Sequence, residues 1–69
     1  MKSTFYRYYC LERPPMPGGI PRGVVHIETF DDKTLVDSIN REAWGWVEYE
    51  CELTEYEIDE FELAKEEMP

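Results

Sequence analysis

Trp44-Gly45-Trp46-Val47-Glu48-Tyr49-Glu50-Cys51-Glu52-Leu53 alternates between two kinds of side chain. Val47, Tyr49, Cys51 and Leu53 fall on one side of an extended chain; Trp44, Trp46, Glu48, Glu50 and Glu52 fall on the other. Period-two alternation of this kind is the mark of a half-buried strand, with one apolar and one polar face. A strand over about 44–53 therefore anchors the reading, and the rest of the chain is placed around it.

Downstream, Thr54 and Glu57 have the spacing of a capping box, and Leu53 with Ile58 fits the hydrophobic staple that frames it. Ile58, Phe61, Ala64 and Met68 follow at helical spacing. Glu55, Glu57 and Asp59 stand where a helix macrodipole favours negative charge. These features predict a helix over about 55–67.

Upstream, Thr4 to Glu12 is dense in aromatics and free of Gly and Pro, which predicts a strand over about 4–12. Phe5, Arg7, Tyr9 and Leu11 would share one face, and Tyr6, Tyr8 and Cys10 the other. Neither face is polar throughout, as expected of a central strand covered on both sides. Residues 13–22 hold four prolines and two glycines, which exclude helix or strand interior and define a stiff loop with Met16 and Ile20 as apolar tips. Gly23 to Phe30 reads as a strand over about 23–30. Asp31-Asp32 then offers an N-cap for Leu35, Val36 and Ile39 at helical spacing, a short helix over about 33–40. The expected fold is one small α+β domain over residues 1–69. It has a three-stranded, mostly antiparallel sheet, a C-terminal helix packed on one face, and a short helix between strands 2 and 3.

Size and charge narrow the function. A chain of 69 residues buries only about 60% of its unfolded surface, but five Tyr, three Phe and two Trp mark it as folded rather than disordered. Ten of the sixteen acidic residues lie between Glu48 and the end, against one base, Lys65, and this segment carries the whole net charge of −9. The first 47 residues balance. A polarised acidic surface points toward a partner of positive potential, and away from direct binding to nucleic acid or an anionic membrane. No apolar run is long enough to span a bilayer and no basic start leads into an apolar segment, so a cytoplasmic location is expected.

Catalytic chemistry finds little support. His26 is the one histidine, and its pairing with Cys10 or Cys51 has no supporting motif. Gly18-Gly19 is not a phosphate loop, and Asp31-Asp32 lacks the alternating ligands of a calcium loop. The chain reads as non-enzymatic, with no catalytic, cofactor or metal residues. Cys10 and Cys51 read as small hydrophobes, with a disulfide open only if they face each other.

The acidic strand and helix are the candidate partner-binding surface: Glu48, Glu50, Glu52, Glu55, Asp59 and Glu62, with Trp44 and Trp46. Alternate strand residues project about 6.7 Å apart, so Glu48, Glu50 and Glu52 would form a carboxylate row spaced like successive phosphates on a nucleic-acid strand. Such a row would fit a basic groove built for DNA or RNA; the plainer alternative is a solvated face that keeps a small protein soluble. Trp44 and Trp46 divide similarly. They are either interface anchors or are covered internally by Pro14, Pro15 or Pro17 of the loop, with Arg13 or Arg22 over a ring.

Tyr6-Arg7-Tyr8-Tyr9 running into Arg13-Pro14-Pro15-Met16-Pro17-Gly18, together with Glu42-Ala43-Trp44-Gly45-Trp46-Val47-Glu48-Tyr49, resembles small acidic orphan proteins of conjugative transposons and related mobile elements of anaerobic gut bacteria. The resemblance implies a bacterial cytoplasmic accessory protein of a mobile element and, by genetic context, an inhibitor of host defence of the anti-CRISPR or anti-restriction type. The expected partner is a basic nucleic-acid-binding protein. The alternative is an adaptor module that forms a homodimer or a protein complex through the proline loop and the Trp pair.

Overall fold

The computed structural model describes residues 5–16 and 18–66. Its elements are β1 (Tyr6–Cys10), β2 (Val24–Val36), β3 (Arg41–Tyr49), α1 (Glu55–Glu60) and β4 (Leu63–Lys65). The strands form one sheet in the order β2-β3-β1-β4, and each neighbouring pair is antiparallel. The fold is thus mostly β. It has four strands where three were expected, and one short helix where two were expected.

The alternation that anchors the reading holds through β3. Ala43, Gly45, Val47 and Tyr49 are buried, while Trp44, Trp46 and Glu48 are half-buried. The strand starts earlier than expected, at Arg41, and stops at Tyr49. Glu50 to Leu53 leave the sheet. β1 lies between β3 and β4, with Tyr8 opposite Val47 on one side and Lys65 on the other. Tyr8 and Tyr9 are both buried, in separate clusters on the two faces, so β1 is covered on both sides. Its expected first residue, Thr4, lies outside the described residues.

The helix expected over 33–40 is absent. β2 runs on to Val36, and a four-residue turn carries the chain into β3, with the Ile39 N–H donating to the Val36 carbonyl and the Asn40 N–H to the Asp37 carbonyl, both at 3.2 Å. Asn40 has φ 56°, a left-handed conformation that Asn tolerates better than most residues. Leu35, Val36 and Ile39 suit a helix by spacing alone. Pairing of Thr34, Leu35 and Val36 with Ala43, Glu42 and Arg41 supplies a full ladder, and that tertiary partner overrides a weak local pattern.

The C-terminal helix also differs. The capping box is present: Glu57 N–H donates to Thr54 Oγ1 at 3.1 Å, and Thr54 N–H donates to Glu57 Oε1 at 3.0 Å. But the helix ends at Glu60, after six residues. Its last turn has no base to oppose the macrodipole. Glu62, at φ 55°, then turns the chain so that Leu63–Lys65 pairs with β1. The gain is burial: Leu63 is 6% exposed in the sheet. The expected apolar stripe is divided accordingly. Ile58 and Phe61 pack with the Tyr8 cluster, and Ala64 with the cluster on the opposite face; Met68 lies outside the described residues.

Two irregularities shape the sheet. Between Thr29 and Thr34, β2 has four residues where β3, between Gly45 and Ala43, has one. Such a bulge bends the strand, and Phe30 within it, with Val36 and Ile39 beyond it, packs against the Tyr9, Leu11 and Ala43 cluster. The proline loop closes the other cluster. Ile20, expected at an exposed tip, is buried, and the Pro21 carbonyl accepts the Tyr49 hydroxyl at 2.7 Å; Met16 stays exposed.

Gly45 sits where these pieces meet. A Cβ there would fall inside the van der Waals shell of the Glu28 carbonyl oxygen and 2.9 Å from Pro15 Cδ. Gly45→Ala should therefore cost about 3 kcal/mol, the upper part of the overpacking range, and lower the thermal midpoint by more than about 10 °C. Gly19→Ala, whose Cβ would meet Met16 at an ordinary 3.5 Å, should stay within about 1 kcal/mol of the parent in urea unfolding. Equal behaviour of the two variants would refute the assignment.

Candidate functional site

The strand order places one residue set in a line across the sheet: His26 on β2, Trp46 and Glu48 on β3, Arg7 and Tyr9 on β1, and Glu66 just past β4. Arg7 is the hub. Its Nε and Nη2 donate to Glu48 Oε2 at 3.1 and 2.8 Å, and its guanidinium lies 3.9 Å from the centroid of the Trp46 ring. The Tyr9 hydroxyl donates to Glu66 Oε1, which also lies 3.9 Å from Arg7 Nη1. From β2, the His26 ring stacks on Trp46 at 5.0 Å and 16°. Burial alone would lower the Arg7 pKa; the bonds to Glu48 and Tyr9 and the charges of Glu48 and Glu66 outweigh it and hold the guanidinium above its ordinary value. Burial, then the bond to Glu66, pushes the Tyr9 hydroxyl up.

Trp46 is thus contacted by Arg7 and His26, where a proline stack with Arg13 or Arg22 had been one of the expectations. Arg13 instead pairs with Glu62 at 2.9 Å. Trp44 is half-buried on the same strand.

The acids singled out in the sequence separate into three groups. Glu48 is held by Arg7 on the sheet face. Glu50 and Glu52 lie past the end of β3, so strand spacing does not govern them, and Glu52 pairs with Lys65. Glu55, Asp59 and Glu62 come together: with Glu12 they line an open groove of about 680 Å³ beside α1, over Leu11, Ile58 and Leu63. Arg41 and the exposed ring of Tyr56 complete its rim. Glu57, by contrast, is used in the cap. The sequence reading passed over Arg7, Tyr9, Glu12, Arg41 and Tyr56 as site residues, and took Glu66 only as part of the acidic helix face. The alternation of β1 already put Arg7 and Tyr9 on one face, but Glu66 became their neighbour only because the helix stops early.

Cys10 and Cys51 are both free thiols, the first buried and the second exposed. Burial pushes the Cys10 thiol up to about 11. Among the described residues, no group of three or more His, Cys, Asp or Glu side chains is placed to hold a metal ion, and no helix is long and apolar enough to cross a membrane.

Fold and surface define a small, acidic, mostly β domain. Residues 3–68 match the family described as Defence against restriction A C-terminal, and the chain belongs to that family. No curated protein and no solved structure matches it. The family description agrees with the resemblance to mobile-element proteins as far as a link to defence against restriction.

Two measurements probe this surface. Arg7→Ala leaves Glu48 and Glu66 without their cation and uncovers Trp46; in a Trp44→Phe background its emission should shift to the red, with a stability loss of about 1–2 kcal/mol. Arg7→Lys should recover less than half of that loss, because an ammonium lacks the planar fork. Unchanged emission in Arg7→Ala would remove Arg7 as the hub. Second, a thiol reagent at pH 8 should modify Cys51 rapidly and Cys10 only on unfolding, since little thiolate forms at Cys10 below about pH 11. Two equally fast thiols would contradict the burial.

Proposed function

We propose that this chain is a non-enzymatic binding domain that counters restriction by docking its acidic surface on a basic site of a nucleic-acid-handling protein. The observation that supports it most directly is the gathering of Glu12, Glu55, Asp59 and Glu62 around one groove beside α1, next to an exposed tyrosine. The family's link to defence against restriction supplies the biological direction. Nucleic-acid mimicry is the finer form of the proposal. Its support no longer comes from a Glu48-Glu50-Glu52 row, since only Glu48 lies in β3; it comes from the carboxylates around α1. A partner that normally grips phosphate would meet these groups with Arg and Lys, and the encounter would be fast and salt-sensitive.

The proline loop is less suited to lead the interface. Pro15, Ile20 and Pro21 are buried in the chain's own core, so among the described residues of the loop an adaptor role would rest on exposed Met16 and half-buried Pro14.

The test is protection of unmodified DNA in a restricting bacterial host that expresses the chain. The triple variant Glu50→Lys, Glu55→Lys, Asp59→Lys changes acids that carry no ion pair among the described residues. It should reduce protection at least tenfold while the circular dichroism spectrum stays that of the parent. Full protection by a folded triple variant would reject the acidic surface as the docking site.

A further inference from the structure

β4 is the shortest strand and lies at the edge of the sheet, paired through three residues to β1 alone. Outside that ladder, the Leu11 N–H donates to the Glu62 carbonyl at 3.3 Å and the Glu66 N–H to the Arg7 carbonyl at 2.9 Å. Leu63 is its one buried anchor and Ala64 packs on the opposite face; the two ends of the strand are held by ion pairs. Arg13 holds Glu62 just before the strand, Lys65 within it holds Glu52, and Arg7 with Tyr9 holds Glu66 just after it. Each of these ion pairs joins the acidic segment to a base, and the Arg13 and Lys65 pairs are open to solvent.

We infer that β4 is an electrostatic clasp that a basic partner unfastens. Arg and Lys groups arriving at the acidic surface compete with Arg13 and Lys65 for Glu62 and Glu52. Docking then exchanges intramolecular pairs for intermolecular ones and loosens β4 from the edge of β1. Edge elements with few buried side chains open with far less free energy than the core, and two exposed ion pairs are of the size that tunes such an opening. This inference rests on the docking reading above for the partner, but the clasp itself is tested without one.

Amide hydrogen exchange reads it residue by residue. The Glu66 amide reports the closed clasp, and the amides of the β1–β3 ladder report the core. In the double variant Arg13→Gln, Lys65→Gln, the Glu66 amide should exchange about tenfold faster than in the parent, with core amides within about twofold. The gap between parent and variant should close in 1 M NaCl, where the screening length is about 3 Å. A Glu66 amide unaffected by the variant, or one that accelerates together with the core, overturns the clasp. Addition of a poly-lysine peptide to the parent should accelerate the Glu66 amide selectively. If the peptide binds and Glu66 stays protected, partner-driven opening is wrong while docking stands. If the peptide does not bind, the docking reading fails, and the variant comparison still decides the clasp.

Discussion

The missing side chain of Gly45 is the constraint on which the rest of the structure depends. β3 is paired on both sides, to β2 and β1, and at Gly45 the Glu28 carbonyl and Pro15 close in from β2 and the proline loop. That approach is possible only where no Cβ intervenes. Beside it the register of β2 breaks, and the bend that follows carries Phe30, Val36 and Ile39 onto the second face of the sheet. A chain of 69 residues has little core to spare. By curling its own hairpin over one face and laying the proline loop and α1 on the other, it buries both without a second layer of long helices.

The acidic half of the chain is fitted to this frame by a few well-placed bases. Arg7 serves two carboxylates and one indole; Arg13 and Lys65 serve one carboxylate each. Glu57 carries no ion pair among the described residues but supplies the cap of α1. Some of the acids are therefore structural, and the surface available to a partner is narrower than the sequence count implies. It is Glu50, Glu55, Asp59 and their neighbours near α1, not the full run from Glu48 onward.

Much of the sheet was legible because its signals are local. Alternation in Trp44–Tyr49 marked β3, aromatic density marked β1, and the Thr54–Glu57 box marked the start of α1. The failures share a cause. Leu35, Val36 and Ile39, and again Ile58, Phe61 and Ala64, have helical spacing, yet each set was divided by a strand partner, the first by the adjacent arm of a hairpin and the second by β1, distant in sequence. Spacing records which side chains can share a helical face; it does not record that β1 has a free edge or that Arg41–Ala43 will meet Thr34–Val36. The candidate site inherited the same limit. Glu55, Asp59 and Glu62 were named and do converge, but the Arg7 hub needed Glu66 to arrive from a strand that local pattern reads as helix.

Salt acts on this molecule in two opposing senses, and their separation in space follows from the fold. Clustered like charges around α1 repel one another and strain the compact state; screening relieves that repulsion and favours the folded chain. The ion pairs around β4 are attractive and exposed, so the same screening weakens them. The core of β1, β3 and the inner part of β2 is apolar and aromatic, with the Tyr8 and Tyr49 rings edge to face at 6.1 Å, and depends on neither effect. A basic surface differs from simple salt because its charges are fixed in place. It relieves the repulsion at α1 and at once offers new partners to the carboxylates that hold β4. On the proposed docking, a cationic partner would act on the acidic segment through the exposed pairs around β4, while Tyr49 and Leu63 of the same segment stay in the core.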